Sequence, residues 1–263
     1  MRFTAIDLTA SFRDSDLVTE QLSSALRHSV VVHVLNRSHV EQPLKYWEDV
    51  VSRLGEPVYE GEDSHTGVTH PQDSIWSDVR FDPHVSASFR HQNSAQPLHT
   101  DGAYLADAPD LVLFYCARQA ASGGATLFLD VIDLVAGLTR EYPDLYRALT
   151  TVPVEFRKAT NKGKTSPILS FDEQGARINW NYYRVAPDQP EEVLMLREAL
   201  HEVLTTRFMH GKETLPIRLR PGEAVIFNDV RTLHGREAYS ACQSGDRLLW
   251  KCYIAPAKQG AAS

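Results

Sequence analysis

Apolar and polar residues change their period several times along this chain, and each change predicts an element. Across 16–28, Leu17, Val18, Leu22, Ala25 and Leu26 fall on one helical stripe, with Ser15 or Asp16 as its cap. A run of apolar residues from Val30 to Leu35 then reads as a buried strand. A second helix is expected from about Ser38, with Val40, Leu44, Trp47, Val51 and Leu54 inward and a stop at Gly55, although Pro43 favours a start a few residues later. Residues 58–96 show little periodicity and read as a lid-like insertion. Beyond them the pattern predicts strands at 111–118, 125–130, 152–157, 177–182, 214–219, 224–228 and 247–255, with a tight turn at Pro221-Gly222-Glu223. Helices interrupt near 131–149 and 189–207, the latter with Val193, Leu196, Leu200 and Val203 inward. Helices do not alternate with strands and no glycine-rich phosphate loop follows a strand, so a parallel α/β fold fits poorly. The expectation is a mainly β protein with flanking helices: a single domain over 1–263 with a double-stranded β-helix (jelly-roll) core, an N-terminal helical layer and a long insertion.

Composition narrows the function classes. Of 263 residues, 43% are hydrophobic, enough for a sizeable core, and 27 basic against 34 acidic residues leave a mildly acidic chain. No Lys/Arg-rich tract points to nucleic acid or to a polybasic membrane surface. The stretch Met1–Asp7 lacks a signal-like apolar region, and no apolar run nears the roughly 20 residues of a membrane span. Cys116, Cys242 and Cys252 form no paired metal spacing and read as reduced thiols, so the expected location is cytoplasmic.

The chemistry concentrates at Pro97-Leu98-His99-Thr100-Asp101-Gly102. In an extended chain, residues i and i+2 share a side, so His99 and Asp101 can reach one ion together. A distant histidine, His234, would complete two imidazoles and a carboxylate on one face, the set that leaves positions open in non-haem Fe(II) oxygenases. His39-Val40-Glu41 repeats the short spacing, but Ser38 and Glu41 there read as a helix capping box, and i, i+2 residues of a helix do not face each other. Taken alone, His234 reads better as a histidine satisfied at a hairpin end.

Four segments together carry a resemblance: His-Thr-Asp-Gly at 99–102, Gly-Gly-Ala-Thr at 123–126, Leu-His-Gly-Arg at 233–236, and the strand opening at Arg247. In order and spacing, over roughly 90–255, they resemble the Fe(II)/2-oxoglutarate dioxygenase superfamily, in its taurine dioxygenase and γ-butyrobetaine hydroxylase-like group. The resemblance implies that His99, Asp101 and His234 ligate iron and act catalytically, and that Arg247 and Thr126 hold the distal carboxylate of 2-oxoglutarate, with O2 as the oxidant. The carboxylate at Asp101 favours oxygenation over halogenation, because related halogenases carry a small residue there. It further implies a small polar substrate, an amino acid or a betaine-like metabolite. Asn93, Tyr104, Tyr183, Arg231 and Lys251, with Gln92 and Arg236, are candidate pocket residues, and the stretch Arg177 to Arg184 a candidate wall. An assembly of identical chains is left open. Two other readings remain at this stage: a metal-dependent hydrolase or isomerase on a cupin-like fold, and a non-catalytic 2-oxoglutarate-binding protein.

Overall fold

The computed structural model describes residues 1–255 except 13, 37, 39, 63–68, 86–88 and 159–162, with backbone alone for 60–62 and 69–71. In chain order the helices and the strands of the two main sheets are β1 (Phe3–Asp7), α1 (Ser15–Leu26), β2 (Val31–Leu35), α2 (Pro43–Leu54), β3 (Glu56–Pro57) and β4 (Ser77–Arg80). There follow β5 (Gln96–His99), β6 (Leu111–Arg118), β7 (Thr126–Asp130), α3 (Val131–Glu141), α4 (Pro143–Thr151) and α5 (Glu191–Val203). The chain closes with β8 (Thr214–Ile217), β9 (Ala224–Asn228), β10 (Thr232–Arg236) and β11 (Leu248–Ala255). Three short two-stranded ribbons lie outside these sheets.

The larger sheet runs β1-β2-β9-β6-β11-β3, with β4 also paired to β11, and the smaller runs β8-β7-β10-β5. Only β1 and β2 pair in parallel among these neighbours. Period-2 alternation explains why the two sheets stack. In β9, Val225 and Phe227 point between the sheets, whereas Ala224 and Ile226 point outward. The inner layer joins Phe128 of the small sheet to Phe227 of the large one, ring centres 5.1 Å apart. Outside the large sheet, α1 and α2 bring Val18, Leu22, Trp47, Val50 and Val51 onto Val32, Val34, Leu113 and Ile226. Outside the small sheet, α3 to α5 cover Leu127, Leu129 and Leu233. The jelly-roll core with an N-terminal helical layer is therefore present.

Several expectations need correction. Helix α1 is capped by Asp14, whose carboxylate accepts from the Asp16 and Leu17 amides, and Leu17 is exposed. Helix α2 starts at Pro43, where a missing N–H costs nothing, and no capping box forms at Ser38. His39, the competing candidate ligand, lies outside the described residues. The helix expected over 131–149 breaks at Tyr142, because the residue before a proline is driven out of helical geometry. The strand expected over 177–182 covers Gly175–Ile178 and gives way to a single helical turn at Tyr182–Arg184. Part of the 58–96 insertion is not a lid at all: β4 is built into the large sheet along β11.

Candidate active site

Strand β10 is one of the elements that sequence patterning missed, and it positions the site. Thr-Leu-His-Gly-Arg is too polar to read as a core strand, yet β10 lies between β7 and β5, with all five residues buried. His234 sits directly opposite His99 across β5 and β10. Their ring centres are 4.2 Å apart. The close approach requires Gly235, where a Cβ would stand 2.8 Å from the Gln96 carbonyl oxygen. His99 ends β5 and Asp101 follows in a turn. Between them Thr100 is anchored to Trp180, its amide donating to the Trp180 oxygen at 2.6 Å and its hydroxyl accepting from the Trp180 amide at 3.0 Å. That anchor turns Thr100 away and leaves His99 and Asp101 aimed into one cavity.

The three candidate ligand atoms lie within 4.8 Å of one another. Asp101 stands 3.8 Å from His99 Nε2 through Oδ1 and 3.7 Å from His234 Nε2 through Oδ2. Behind the histidines, His99 Nδ1 donates to the Pro97 oxygen at 2.8 Å, and Asp229 Oδ1 stands 3.0 Å from His234 Nδ1. Both contacts favour the tautomer that leaves Nε2 unprotonated, and the Gln96 side-chain amide stands 3.1 Å from that nitrogen of His99. Asp229 also takes the Asp101 amide through Oδ2, at 2.7 Å. It was not foreseen; the one clue was a polar pair, Asn228-Asp229, closing an apolar strand.

Electrostatics prepare the trio for a cation. Burial lowers His99 and His234 to about 4, with the neighbouring His234 charge adding to the effect on His99. Both imidazoles are therefore neutral near pH 7. Burial alone would raise the Asp101 carboxyl, but the Lys251 ammonium and the two histidines outweigh it and hold the group well below the usual carboxylate range. Lys251 Nζ donates to Asp101 Oδ2 at 3.2 Å and to the Tyr253 hydroxyl at 2.7 Å. Burial, then the Asp101 charge, pushes Asp229 well up.

The same cavity, of about 410 Å³, is lined farther in by Thr126, Arg236 and Arg247. Arg247 is 1% exposed, and its Nη2 donates to the Gly124 oxygen at 3.3 Å while Nε and Nη1 have no hydrogen-bond partner among the described residues. A buried guanidinium with unused donors is costly unless a ligand carboxylate completes it. Gly124, at φ 75°, supplies that oxygen, and a Cβ there would stand 3.2 Å from Arg247 Nε. Arg236 sits in register opposite Thr126 and likewise leaves Nε and Nη1 unpartnered, its Nη2 donating to the Gln92 and Ser94 carbonyls. Both guanidinium carbons lie 5.1 Å from the Tyr239 ring centre.

Of the candidate pocket residues, Tyr104, Tyr183 and Lys251 line the cavity. Arg231 does not: it is buried on the Ala176 carbonyl and the Asp172 carboxylate. Asn93 does not either, its carbonyl accepting the Tyr239 amide, and Gln92 serves through its backbone oxygen. The wall expected from Arg177 to Arg184 is confined to Asn181 to Arg184. Gln96 and Lys158 also line the cavity and had no sequence signal.

Comparison with known proteins agrees with this geometry. The family model for taurine catabolism dioxygenases, the TauD/TfdA family, matches residues 5–253. The mitochondrial trimethyllysine dioxygenase of Gallus gallus is 29% identical over 168 residues, 59% of this chain but only 39% of that protein's length. The uridine-5'-phosphate dioxygenase of an Amycolatopsis species is 28% identical over 220 residues, covering 78% of this chain and 77% of the relative. The fold matches a crystal structure of asparagine oxygenase in complex with Fe(II), a hydroxyasparagine and succinate, at a TM-score of 0.68 and 13% identity, over 97% of this chain and 94% of that one. The chain belongs to the TauD/TfdA dioxygenase family.

Proposed function

We propose that the protein is an Fe(II)- and 2-oxoglutarate-dependent oxygenase that hydroxylates a C–H bond of a small polar metabolite, amino-acid or betaine-like, releasing succinate and CO2. One observation carries this reading: a single cavity is lined both by His99, Asp101 and His234 and by Arg247, whose Nε and Nη1 have no hydrogen-bond partner among the described residues. Two neutral imidazoles and an ionised carboxylate fit a divalent first-row metal. Bound there, Fe(II) supplies the oxygen-activating redox chemistry that no side chain provides. The protein's own residues do the rest. His99, Asp101 and His234 would hold the ion, with the Pro97 oxygen and the Asp229 carboxyl set against the two imidazoles. Arg247 offers a planar two-donor fork to the distal carboxylate of 2-oxoglutarate, with the Thr126 hydroxyl beside it. A hydrolase or isomerase would have no use for that buried arginine. Phe89 and Tyr183, their ring centres 5.1 Å apart, add an aromatic pair to the cavity lining.

The same reading places the protein in a reducing cytoplasm: all three cysteines are free, and Cys116 and Cys252 are buried. Among the described residues no helix is long and apolar enough to cross a membrane. The test is anaerobic addition of Fe(II) and 2-oxoglutarate. A weak visible charge-transfer band should form, vanish in His99→Ala and weaken in Arg247→Ala. Admission of O2 should then release succinate, and a protein that gives neither band nor succinate is not this enzyme.

A further inference from the structure

A shift of register aims one more polar side chain at the ligand cluster. His234 pairs with His99 and Arg236 with Gln96, two steps along β10 against three along β5. In an unbroken strand, residues i and i+3 point to opposite faces; the extra residue in β5 turns Gln96 onto the face of His99. Gln96 lines the cavity, and its side-chain amide stands 3.1 Å from His99 Nε2. The direction of that contact follows from the other ring nitrogen. His99 Nδ1 donates to the Pro97 oxygen at 2.8 Å, so Nε2 carries the lone pair and the Gln96 amide N–H donates into it. A metal that takes Nε2 must displace this amide.

The displaced amide stays inside the cavity, because the chain that carries it is held from behind. Arg236 Nη2 donates to the Gln92 and Ser94 carbonyl oxygens, both at 2.8 Å, and Gly235 lets β10 close on the Gln96 carbonyl. Two rows of side chains cross the small sheet: Phe128, His234 and His99 in one, Thr126, Arg236 and Gln96 in the next. The second row adjoins Arg247, since Arg236 and Arg247 flank the same Tyr239 ring. Gln96 thus stands where a chain held by Thr126 and Arg247 passes to the ligand cluster. Lys251 is already engaged by Asp101 and the Tyr253 hydroxyl. A 2-oxo acid held by its far carboxylate turns its 2-oxo and 1-carboxylate oxygens to the metal, and the carboxylate is the stronger acceptor. We propose that Gln96 binds the cosubstrate at its metal end, its amide N–H passing from His99 Nε2 to the 1-carboxylate when metal and cosubstrate arrive. The proposal rests on the oxygenase reading of this cavity and adds a residue to it.

Anaerobic protein loaded with Fe(II) is titrated with 2-oxoglutarate and with 2-oxobutyrate, following both heat and the visible band. Gln96→Leu keeps the bulk and loses the donor. It should weaken both oxoacids by about three- to thirtyfold, because they share the 1-carboxylate. The band should move to shorter wavelength, since a donor on that carboxylate lowers the orbital that accepts the electron. Gln96→Glu keeps the length and sets a negative charge against the carboxylate, so it should weaken both oxoacids further. Matching thermal midpoints would show that the variants remain folded. Co(II) affinity without an oxoacid should stay within about threefold of the parent or rise in Gln96→Leu, as the amide no longer competes for His99. A larger fall would make Gln96 a prop for the imidazole and overturn the proposal. Weakening confined to 2-oxoglutarate overturns it as well, as does weakening with the band unmoved, because either places the lost contact away from the metal end. A parent protein that gives no band removes the oxygenase reading and this contact together. A parent band with both oxoacids bound equally well in Gln96→Leu removes the contact and spares the oxygenase.

Discussion

Single side chains set the affinity and the acid tolerance of the candidate metal centre. Because burial holds His99 and His234 at about 4 rather than the ordinary 6.5, protons compete for them only in strong acid. Asp101 stays ionised throughout the range above that. The sign is then fixed: Co(II) affinity should fall little, within about threefold, between about pH 7 and about pH 5.5. A loss beyond tenfold in a calorimetric titration would mean that the imidazoles titrate as exposed groups. Asp229 acts one step behind, on His234 and on the Asp101 amide. Asp229→Ala is expected to cost about 10- to 100-fold in metal affinity, read by the same titration, while the far-ultraviolet circular dichroism stays unchanged. At the cosubstrate end, Arg247→Lys keeps the charge and loses the fork. It should raise the Kd for 2-oxoglutarate about tenfold or more, and leave that for 2-oxobutyrate, which has no distal carboxylate, within about twofold.

At the level of elements, legibility followed apolar content. Strands β6 and β9 were foreseen to the residue, because β-branched and aromatic runs fill both faces of a buried strand. Strand β10 was not, since its histidine, glycine and arginine are site residues occupying a strand that patterning reads as loop. The candidate trio His99, Asp101 and His234 was picked out nonetheless, from its motif and the family resemblance, and the fold brings the three together. Arg231 misled because a motif neighbour in sequence points to the opposite side of a strand or turn; here it serves Asp172. Lys158 had no local signal, as backbone pairing around the Phe156–Val185 bridge brings its segment beside that of Arg184. The tight β5–β10 contact yields a prediction of its own. Gly235→Ala forces a methyl within 2.8 Å of the Gln96 oxygen and should destabilise the fold by about 1–3 kcal/mol in urea titration, while also widening the His99–His234 gap and weakening metal binding.

Across the whole molecule, stability and chemistry occupy different faces of the large sheet. The α1–α2 layer packs on the outer face through Trp47, which is 0% exposed, whereas the cavity opens between the sheets. Trp47→Ala should therefore cost roughly 3–5 kcal/mol by denaturant titration, with 2-oxoglutarate affinity unchanged below the shifted melting temperature. An equal loss of affinity would show that the helical layer shapes the cavity through the sheet.

The pairing of His99 with His234 has a consequence for assembly. These histidines come from remote stretches of chain, so the coordination sphere cannot exist until the small sheet has zipped in the correct register. A slip of one position would send one imidazole to the opposite face. A captured cation would then work as a removable staple across those two strands, so that chelation slackens the very pairing on which recapture depends.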